Sequence, residues 1–420
     1  MIFLENIIWT YVTIPLLFFV SIFFTISKKG PQFRLKEMLK HLQKKETNSK
    51  LTPMGTLFIA LSARMGVGTL AGVGLAIAIG GPGAIFWMWI SAILTSATTF
   101  AENTLAQRFK RKQHENYCGG PAFYMKYGLK NKKIAALYAI MLILTYTLGF
   151  VAVQMNTMTT IFSQNSTISP IIIGVILTAI TAVVITGSLE KISLFIAKII
   201  PFIAIIFFGL ATVSLLFNLP YVPTFFTEIF TDAFGITSVT GGGIGVALTT
   251  GVKRGIFSNE AGLGTGAHAA ALIHHENPRE QGYLGIIGIY LATLISMTLV
   301  AFMIMSSGAH QVITTSGNGI EFLQFSLTQR FGPVASVILP VIVFIFGFST
   351  VVTAYLFGLM NVKFLSKKQI FAKMLQWILL IVVFVASISQ GQNVWRMVDI
   401  GVGLMSIINV MAIFMLRNEV

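Results

Sequence analysis

Charge is what this chain has least of. Its 420 residues include 29 Lys+Arg and 14 Asp+Glu, so 10% of the side chains are charged, against about 25% in a soluble domain. That shortage excludes an ordinary soluble enzyme and a disordered chain. Cysteine is nearly absent: Cys118 stands alone, so no intramolecular disulfide can form and a disulfide-built secreted domain is excluded. Period-2 alternation is missing, which argues against a transmembrane β-barrel. There is no Walker phosphate loop, and the six histidines show no metal-ligand spacing. Paired acids at one membrane depth are also missing, so neither ATP-driven pumping nor membrane-embedded catalysis is expected. What is there is apolar: 55% of the residues are hydrophobic and the mean hydropathy is +0.82. This is the composition of a multi-span membrane protein.

Long charge-free runs locate the spans, because a bilayer-crossing helix needs about 20 mostly apolar residues. Such runs cover 134–189, 281–320 and 331–362. Divided at Pro, Gly and Ser/Thr/Asn clusters, the chain predicts an all-α protein of eleven helices: 6–27, 54–80, 83–108, 134–160, 168–187, 190–217, 239–275 (interrupted), 280–306, 333–358, 370–389 and 393–416. The first is too long and lacks the basic start of a cleavable signal peptide. Basic residues crowd 28–53, 108–133 and 363–373, whereas 161–167 is uncharged and 218–238 holds only Glu228 and Asp232. Basic loops stay cytoplasmic, so the N-terminus is expected outside, the C-terminus inside, and the location is the plasma membrane. The net charge of +15 is therefore a topology signal, and no nucleic-acid partner is expected. Lipid is, and no obligate protein partner is evident. Leu35, Met38, Leu39 and Leu42 fall at helical spacing among basic residues, a pattern that fits either an amphipathic helix on the inner leaflet or a solvated linker.

Two spans are dense in glycine. The second holds Gly66, Gly68, Gly72 and Gly74; the seventh holds Gly251, Gly255, Gly262, Gly264 and Gly266. Such clusters serve either close helix packing or local unwinding. With the first helix (1–27) and the basic loop (28–53) set aside, 54–217 and 239–416 form two sets of five helices, separated by an outer loop (218–238) and followed by a short tail (417–420). An odd number of spans inverts one set relative to the other. Each set then opens with its most glycine-interrupted helix, and paired interruptions point to a transporter site. Unwound carbonyls can bind a cation, and half-helix N-termini can hold a carboxylate. The reading is a substrate site between 66–72 and 255–262, lined by Gly66, Gly68, Thr69, Gly72, Ser258, Asn259 and Gly262. Phe257, beside the second break, either closes this pocket or packs into the core. Gln154, a buried amide, needs partners, either on a neighbouring helix or on the substrate.

The segments Ala63-Arg64-Met65-Gly66-Val67-Gly68-Thr69-Leu70-Ala71-Gly72, Gly80-Gly81-Pro82-Gly83 and Lys253-Arg254-Gly255-Ile256-Phe257-Ser258-Asn259-Glu260-Ala261-Gly262 resemble the alanine/glycine:cation symporter family. So do Gln154-Met155-Asn156-Thr157, Phe348-Ser349-Thr350 and Asp399-Ile400. The resemblance runs from about residue 54 to 410. It implies a LeuT-type fold of two inverted five-helix repeats and inward symport of a small neutral amino acid with Na⁺, without an organic cofactor. It further implies Gln154 as a substrate contact, and a Na⁺ site made by Ser349, Thr350 and carbonyls near Ser62 and Met65. A proton-coupled or cation-independent carrier, or a sensor of the same fold, stays open.

Three positions depart from the family pattern. Thr69 stands where Asn is usual, Ala292 where Asp is usual, and Lys253 where a small residue is usual. From these we expect one Na⁺ site to be lost and the Hill coefficient for Na⁺ to lie near one. Lys253 is expected to snorkel, to pair with Glu260, or to stand in for a cation. Glu260 is expected to cap freed N–H groups or to pair with Arg254 or Arg64. Glu102 is expected near a helix end, and His274-His275 to be solvated.

Overall fold

The structure, a computed structural model, describes residues 2–42, 51–113, 116–235, 243–313, 319–389 and 393–420. Lys44, Lys45 and Lys50 of the basic loop, His114, and 236–238 of the expected outer loop lie outside the described residues. Those that are described are almost entirely helical: α1 (Phe3–Ser27), α2 (Leu35–Leu42), α3 (Pro53–Arg64), α4 (Val67–Gly80), α5 (Gly83–Phe109), α6 (Pro121–Tyr127), α7 (Lys132–Gln164), α8 (Pro170–Ile185) and α9 (Leu189–Phe217). Then follow α10 (Val222–Ala233), α11 (Gly243–Asn259), α12 (Thr265–Ala270), α13 (Arg279–Ser306), α14 (Ile320–Phe331), α15 (Ala335–Leu365), α16 (Gln369–Ile388) and α17 (Asn393–Met415).

Among the described residues eight helices are long and apolar enough to cross a bilayer, and α3 with α4, bent by 44°, would make a ninth. The shorter α8 and α11 stand where the other two expected spans were read. Helix starts are chemically marked. Thr52 Oγ1 accepts the Gly55 N–H at 3.0 Å, and Asn131 Oδ1 accepts those of Lys133 and Ile134 at 3.1 Å, which satisfies first-turn donors that have no partner within the helix.

Packing brings the glycine-dense helices together. α11 lies against both α4 and α5, α13 against α5, α15 against α7, and α3 against α9. Gly251 and Gly255 make the α11–α5 approach possible. A Cβ on Gly251 would strike the Ala84 carbonyl, and one on Gly255 would lie 2.8 Å from Ser91 Oγ. These two glycines thus serve packing, and α11 runs unbroken to Asn259. The expected unwinding over 255–262 is corrected to 260–264. α1 docks on α17, where Trp9 Nε1 donates to the Asp399 carbonyl at 2.9 Å. α2 forms as the leucine spacing suggests, with Met38 and His41 buried and Leu35 and Leu39 exposed.

Several elements escape hydropathy. The basic segment after α5 folds into a hairpin, β1 (Arg111–Gln113) with β2 (Asn116–Cys118), antiparallel with Lys112 opposite Tyr117. α6, α10 and α14 are short helices in what reads as loop sequence. His275 is buried, not solvated, and its Nδ1 lies 3.1 Å from Glu280.

Candidate functional site

Each glycine-dense span is interrupted briefly. Between α3 and α4 only Met65 and Gly66 leave the helix, with Gly66 extended at φ −90° and ψ −165°. Unwinding there is two residues long, not the seven of 66–72. Between α11 and α12 the chain turns through Glu260 at φ 57°, Gly262 at φ 81° and Gly264 at φ 80°. Left-handed backbone of this kind suits glycine and is uncommon for a glutamate.

The two breaks meet. Thr69 Oγ1 donates to the Arg64 carbonyl at 2.9 Å and lies 2.8 Å from Ser258 Oγ. Thr69 and Ser258 therefore staple the last turn of α3 to α11, and both are buried. Gln154 Oε1 accepts the Val67 N–H at 2.8 Å, capping the N-terminus of α4. A Cβ on Gly66 would stand 2.6 Å from Thr350 Oγ1 and 3.0 Å from Gln154 Oε1, so only glycine lets these polar atoms crowd the break. A Cβ on Gly68 would lie 3.0 Å from the Phe257 ring, whereas one on Gly72 would meet nothing within 4 Å. Phe257 is at once the cover over Gly68 and part of a stack. Its ring is 4.5 Å from that of Phe150 and 5.3 Å from that of Trp395, with the Arg254 guanidinium 5.6 Å away.

Asn259 turns inward on its own chain, its Oδ1 accepting the Ala261 N–H at 2.9 Å. Gly262 stands apart from the other expected lining residues. Its α-carbon faces Leu17, Val410 and Ser406, and the Asn409 amide donates to its carbonyl at 3.0 Å.

Oxygen atoms converge where α3 passes α15. Thr350 Oγ1 donates to the Ser62 carbonyl at 2.8 Å, and Ser62 Oγ donates to the Ser349 carbonyl at 2.9 Å. Ser349 Oγ is turned to the Phe346 carbonyl at 2.9 Å. Met65 begins the adjoining break and is buried. Thr353 completes the group at 2.5 Å from Ser62 Oγ. The sequence reading missed it, although it lies one helical turn, i+4, beyond Ser349. Hydroxyls and carbonyls are the donors a hard monovalent cation prefers. Among the described residues no three His, Cys, Asp or Glu side chains gather as metal ligands.

Two charged clusters flank these residues. Lys253 pairs with Glu5, and its ammonium lies 3.1 Å from Asp399, which Arg254 also reaches at 2.5 Å. The expected pairing of Lys253 with Glu260 is thereby corrected. At the second break Glu260 Oε2 accepts from Thr265 Oγ1 at 2.6 Å, with Arg64 and not Arg254 as its nearby cation. Glu102 is wholly buried on α5, where its Oε1 accepts from the Asn409 amide at 2.6 Å. It is a core residue rather than one reaching an interface.

A bundle of apolar helices, two of them broken where they meet around small residues and hydroxyls, defines a membrane transporter. Its fold agrees: the crystal structure of MhsT in complex with L-phenylalanine superposes with a TM-score of 0.63 over 88% of this chain and 89% of that one, at 14% identity. The fold is thus of the LeuT type. The chain belongs to the sodium:alanine symporter family, which matches residues 1–420. It is 37% identical to the probable sodium/glutamine symporter GlnT of Bacillus subtilis (strain 168), across 99% of this chain and 87% of that protein. It is 35% identical to the amino-acid carrier protein AlsT of the same organism, across 99% and 88%. The sodium/proton-dependent alanine carrier protein of Bacillus sp. (strain PS3) is 30% identical, across 89% and 87%. The protein is a multi-pass membrane carrier, not an enzyme, and its class of activity is cation-coupled amino-acid transport.

Proposed function

We propose that this carrier imports a small neutral amino acid, alanine or glycine, with Na⁺ as co-substrate, by alternating access. The observation that carries the reading is the adjacency of two oxygen-rich features. The Ser62/Thr350 hydroxyl and carbonyl group abuts Gly66, and Gly66 abuts Gln154. A cation at the first would sit beside an amino acid at the second, so each would favour the other's binding. Small size follows from the Phe257 ring pressed on Gly68, which leaves little room for a long side chain. Gln154, which takes the Val67 N–H, lies at the N-terminal end of α4, where the helix dipole favours a carboxylate. In this reading 54–217 and 239–416 are the inverted repeats, the N-terminus lies outside the plasma membrane, and the basic loops lie in the cytoplasm.

The test is uptake of labelled alanine into proteoliposomes with and without an inward Na⁺ gradient. Accumulation only with the gradient is expected. Equal accumulation without Na⁺ would overturn the coupling, and no accumulation of either small amino acid would overturn the substrate.

A further inference from the structure

Where α9, α13 and α14 end together, the protein forms a pocket of about 210 Å³ with no residue of either backbone break in its wall. It has room for several waters and is smaller than the roughly 300–1,000 Å³ of pockets that take drug-sized ligands. Its wall is polar. Ser214 and Asn218 come from the end of α9, Ser306 and Ser307 from the end of α13, and Ser326 and Arg330 from the last turns of α14.

This wall offers two opposite chemistries. Ser307 Oγ lies 2.8 Å from the Ile304 carbonyl, Ser326 Oγ 2.8 Å from the Phe322 carbonyl, and the two hydroxyls lie 2.7 Å apart. Their hydrogens are spent on these contacts, so what they present to the pocket is lone pairs. Asn218 directs its Nδ2 to the Ser214 carbonyl at 2.9 Å, which leaves its Oδ1 as an acceptor. The C-termini of α9, α13 and α14 add their partial negative charge. Against these acceptors stands Arg330, the one charged residue in the wall. Its guanidinium rests 5.5 Å from the Phe217 ring and makes no hydrogen bond or ion pair among the described residues. A simple anion would suit Arg330 and be repelled by the oxygens, and a simple cation would meet the reverse. A small molecule with both charges satisfies both: its carboxylate takes the guanidinium, and its ammonium, with three donors and no acceptor, takes the oxygens.

We propose that this pocket is a second amino-acid site, separate from the one at Gly66, which binds a free small α-amino acid as a zwitterion. It needs no Na⁺, because the ammonium fills the place a cation would take. Occupancy has a mechanical consequence through α14. One end of that helix is pressed on α4: a Cβ on Gly74 would strike the Gly319 carbonyl, and one on Gly319 would strike that of Ala71. A ligand joining Arg330 to α9 and α13 ties down the other end, and so holds α14 across α4. The proposal goes beyond the carrier reading and does not depend on alanine being the cargo.

The test uses the full-length protein in lipid-free detergent and Na⁺-free buffer, with labelled alanine as the probe. Saturable binding of one alanine per chain is expected. Arg330→Gln should weaken it at least about tenfold, and Arg330→Lys, which keeps the charge, should recover part of the loss. Propionate and ethylamine, each carrying one of the two charged groups, should compete at least about tenfold less well than alanine. Hydrogen exchange should show protection by alanine in 320–331, and this wild-type pattern decides the matter if a variant fails to fold. Binding unchanged in Arg330→Gln, protection confined to the two breaks, or no binding without Na⁺ would each overturn the proposal. Protection of 320–331 by phosphatidylethanolamine but not by alanine would also overturn it, giving the pocket to a lipid headgroup whose phosphate and ammonium share this chemistry. Na⁺-dependent alanine binding that Gly68→Val abolishes reports separately on the carrier reading.

Discussion

The two charged clusters of this molecule are built on opposite principles. At the first, Glu5, Lys253, Arg254 and Asp399 bring two cations to two carboxylates, joining α1, α11 and α17. At the second, Arg64 alone faces Glu102 and Glu260. The balanced cluster can persist at fixed charge in a low-dielectric interior, because each charge has its complement within reach. The second sets one guanidinium against two carboxylates, and it sits where the backbone is broken. The comparison teaches that charge in this membrane interior is arranged in two ways: one set joins three helices as balanced pairs, and the other gathers two carboxylates around one guanidinium beside a break in the backbone.

The largest effect should come from unbalancing the first cluster. Asp399→Asn leaves Lys253 and Arg254 against Glu5 alone, and breaking a buried pair this way costs about 3–5 kcal/mol. Thermal unfolding in detergent should show a large fall, whereas Glu260→Gln, which removes surplus charge, should cost less than about 1 kcal/mol or stabilise. Equal losses in the two variants would erase the distinction between the clusters.

Next is the seam between them. Phe257 lies within cation–π reach of Arg254 on one side and presses on Gly68, just past the α3–α4 break, on the other. Gly68→Val would overpack this contact by roughly 1–3 kcal/mol. Alanine uptake should fall at least about tenfold while the protein remains in the membrane at normal levels. Retained uptake would mean that Phe257 does not cover the substrate.

A smaller effect is expected at the oxygen group. Replacing Ser349 and Thr350 together by Ala removes the Thr350 bond to the Ser62 carbonyl and two candidate Na⁺ ligands. At about 1 kcal/mol per polar contact, the Na⁺ concentration for half-maximal uptake should rise on the order of tenfold. An unchanged Na⁺ dependence would place the cation elsewhere. Thr353→Ala offers the finer check, since Thr353 touches Ser62 rather than the break, and its effect should be smaller still.

The smallest effect concerns Lys253. Glu5 and Asp399 already neutralise it, so it exerts little net repulsion on a bound cation. The case for a lost Na⁺ site then rests on Thr69, whose hydroxyl is committed to Arg64 and Ser258, and on Ala292, which has no side-chain ligand atom. The Hill coefficient for Na⁺ should be near one in the wild type and should stay there in Lys253→Gln. A rise toward two in that variant would show that the Lys253 charge still acts on the site.

The long apolar spans were readable from local composition alone; the short α6, α10 and α14 were not. Hydropathy is a property of consecutive residues, and the charge-free run from Ile134 to Leu189 could be nothing but spans. The approach of the two glycine-dense segments, made by Thr69 and Ser258, was legible too, though indirectly, because glycine density marks where a helix can break. It did not reveal which glycines break it: Gly255 and Gly262 look alike in sequence, yet one spaces α11 from Ser91 and the other turns the chain at φ 81°. The pairing of β1 with β2 was hidden because their residues read as a basic loop, and it depends on register rather than on apolar alternation.

What the sequence determined by itself is the class: an all-helical, apolar chain with two glycine-broken spans and the motifs of a cation-coupled carrier. Each of those features is written within a few turns of chain. Only the tertiary structure decided which charges neutralise which. Lys253 chose Glu5, 248 residues away, over Glu260, seven residues away, because α11 carries Lys253 against α1 and α17 while the break turns Glu260 toward Arg64 and Thr265. Glu102 came near the same Arg64 from a third helix, α5. In a low-dielectric interior the energy of a charge is set by its neighbours in space, and the helix packing that selects those neighbours is not visible in the spacing of residues along any one helix.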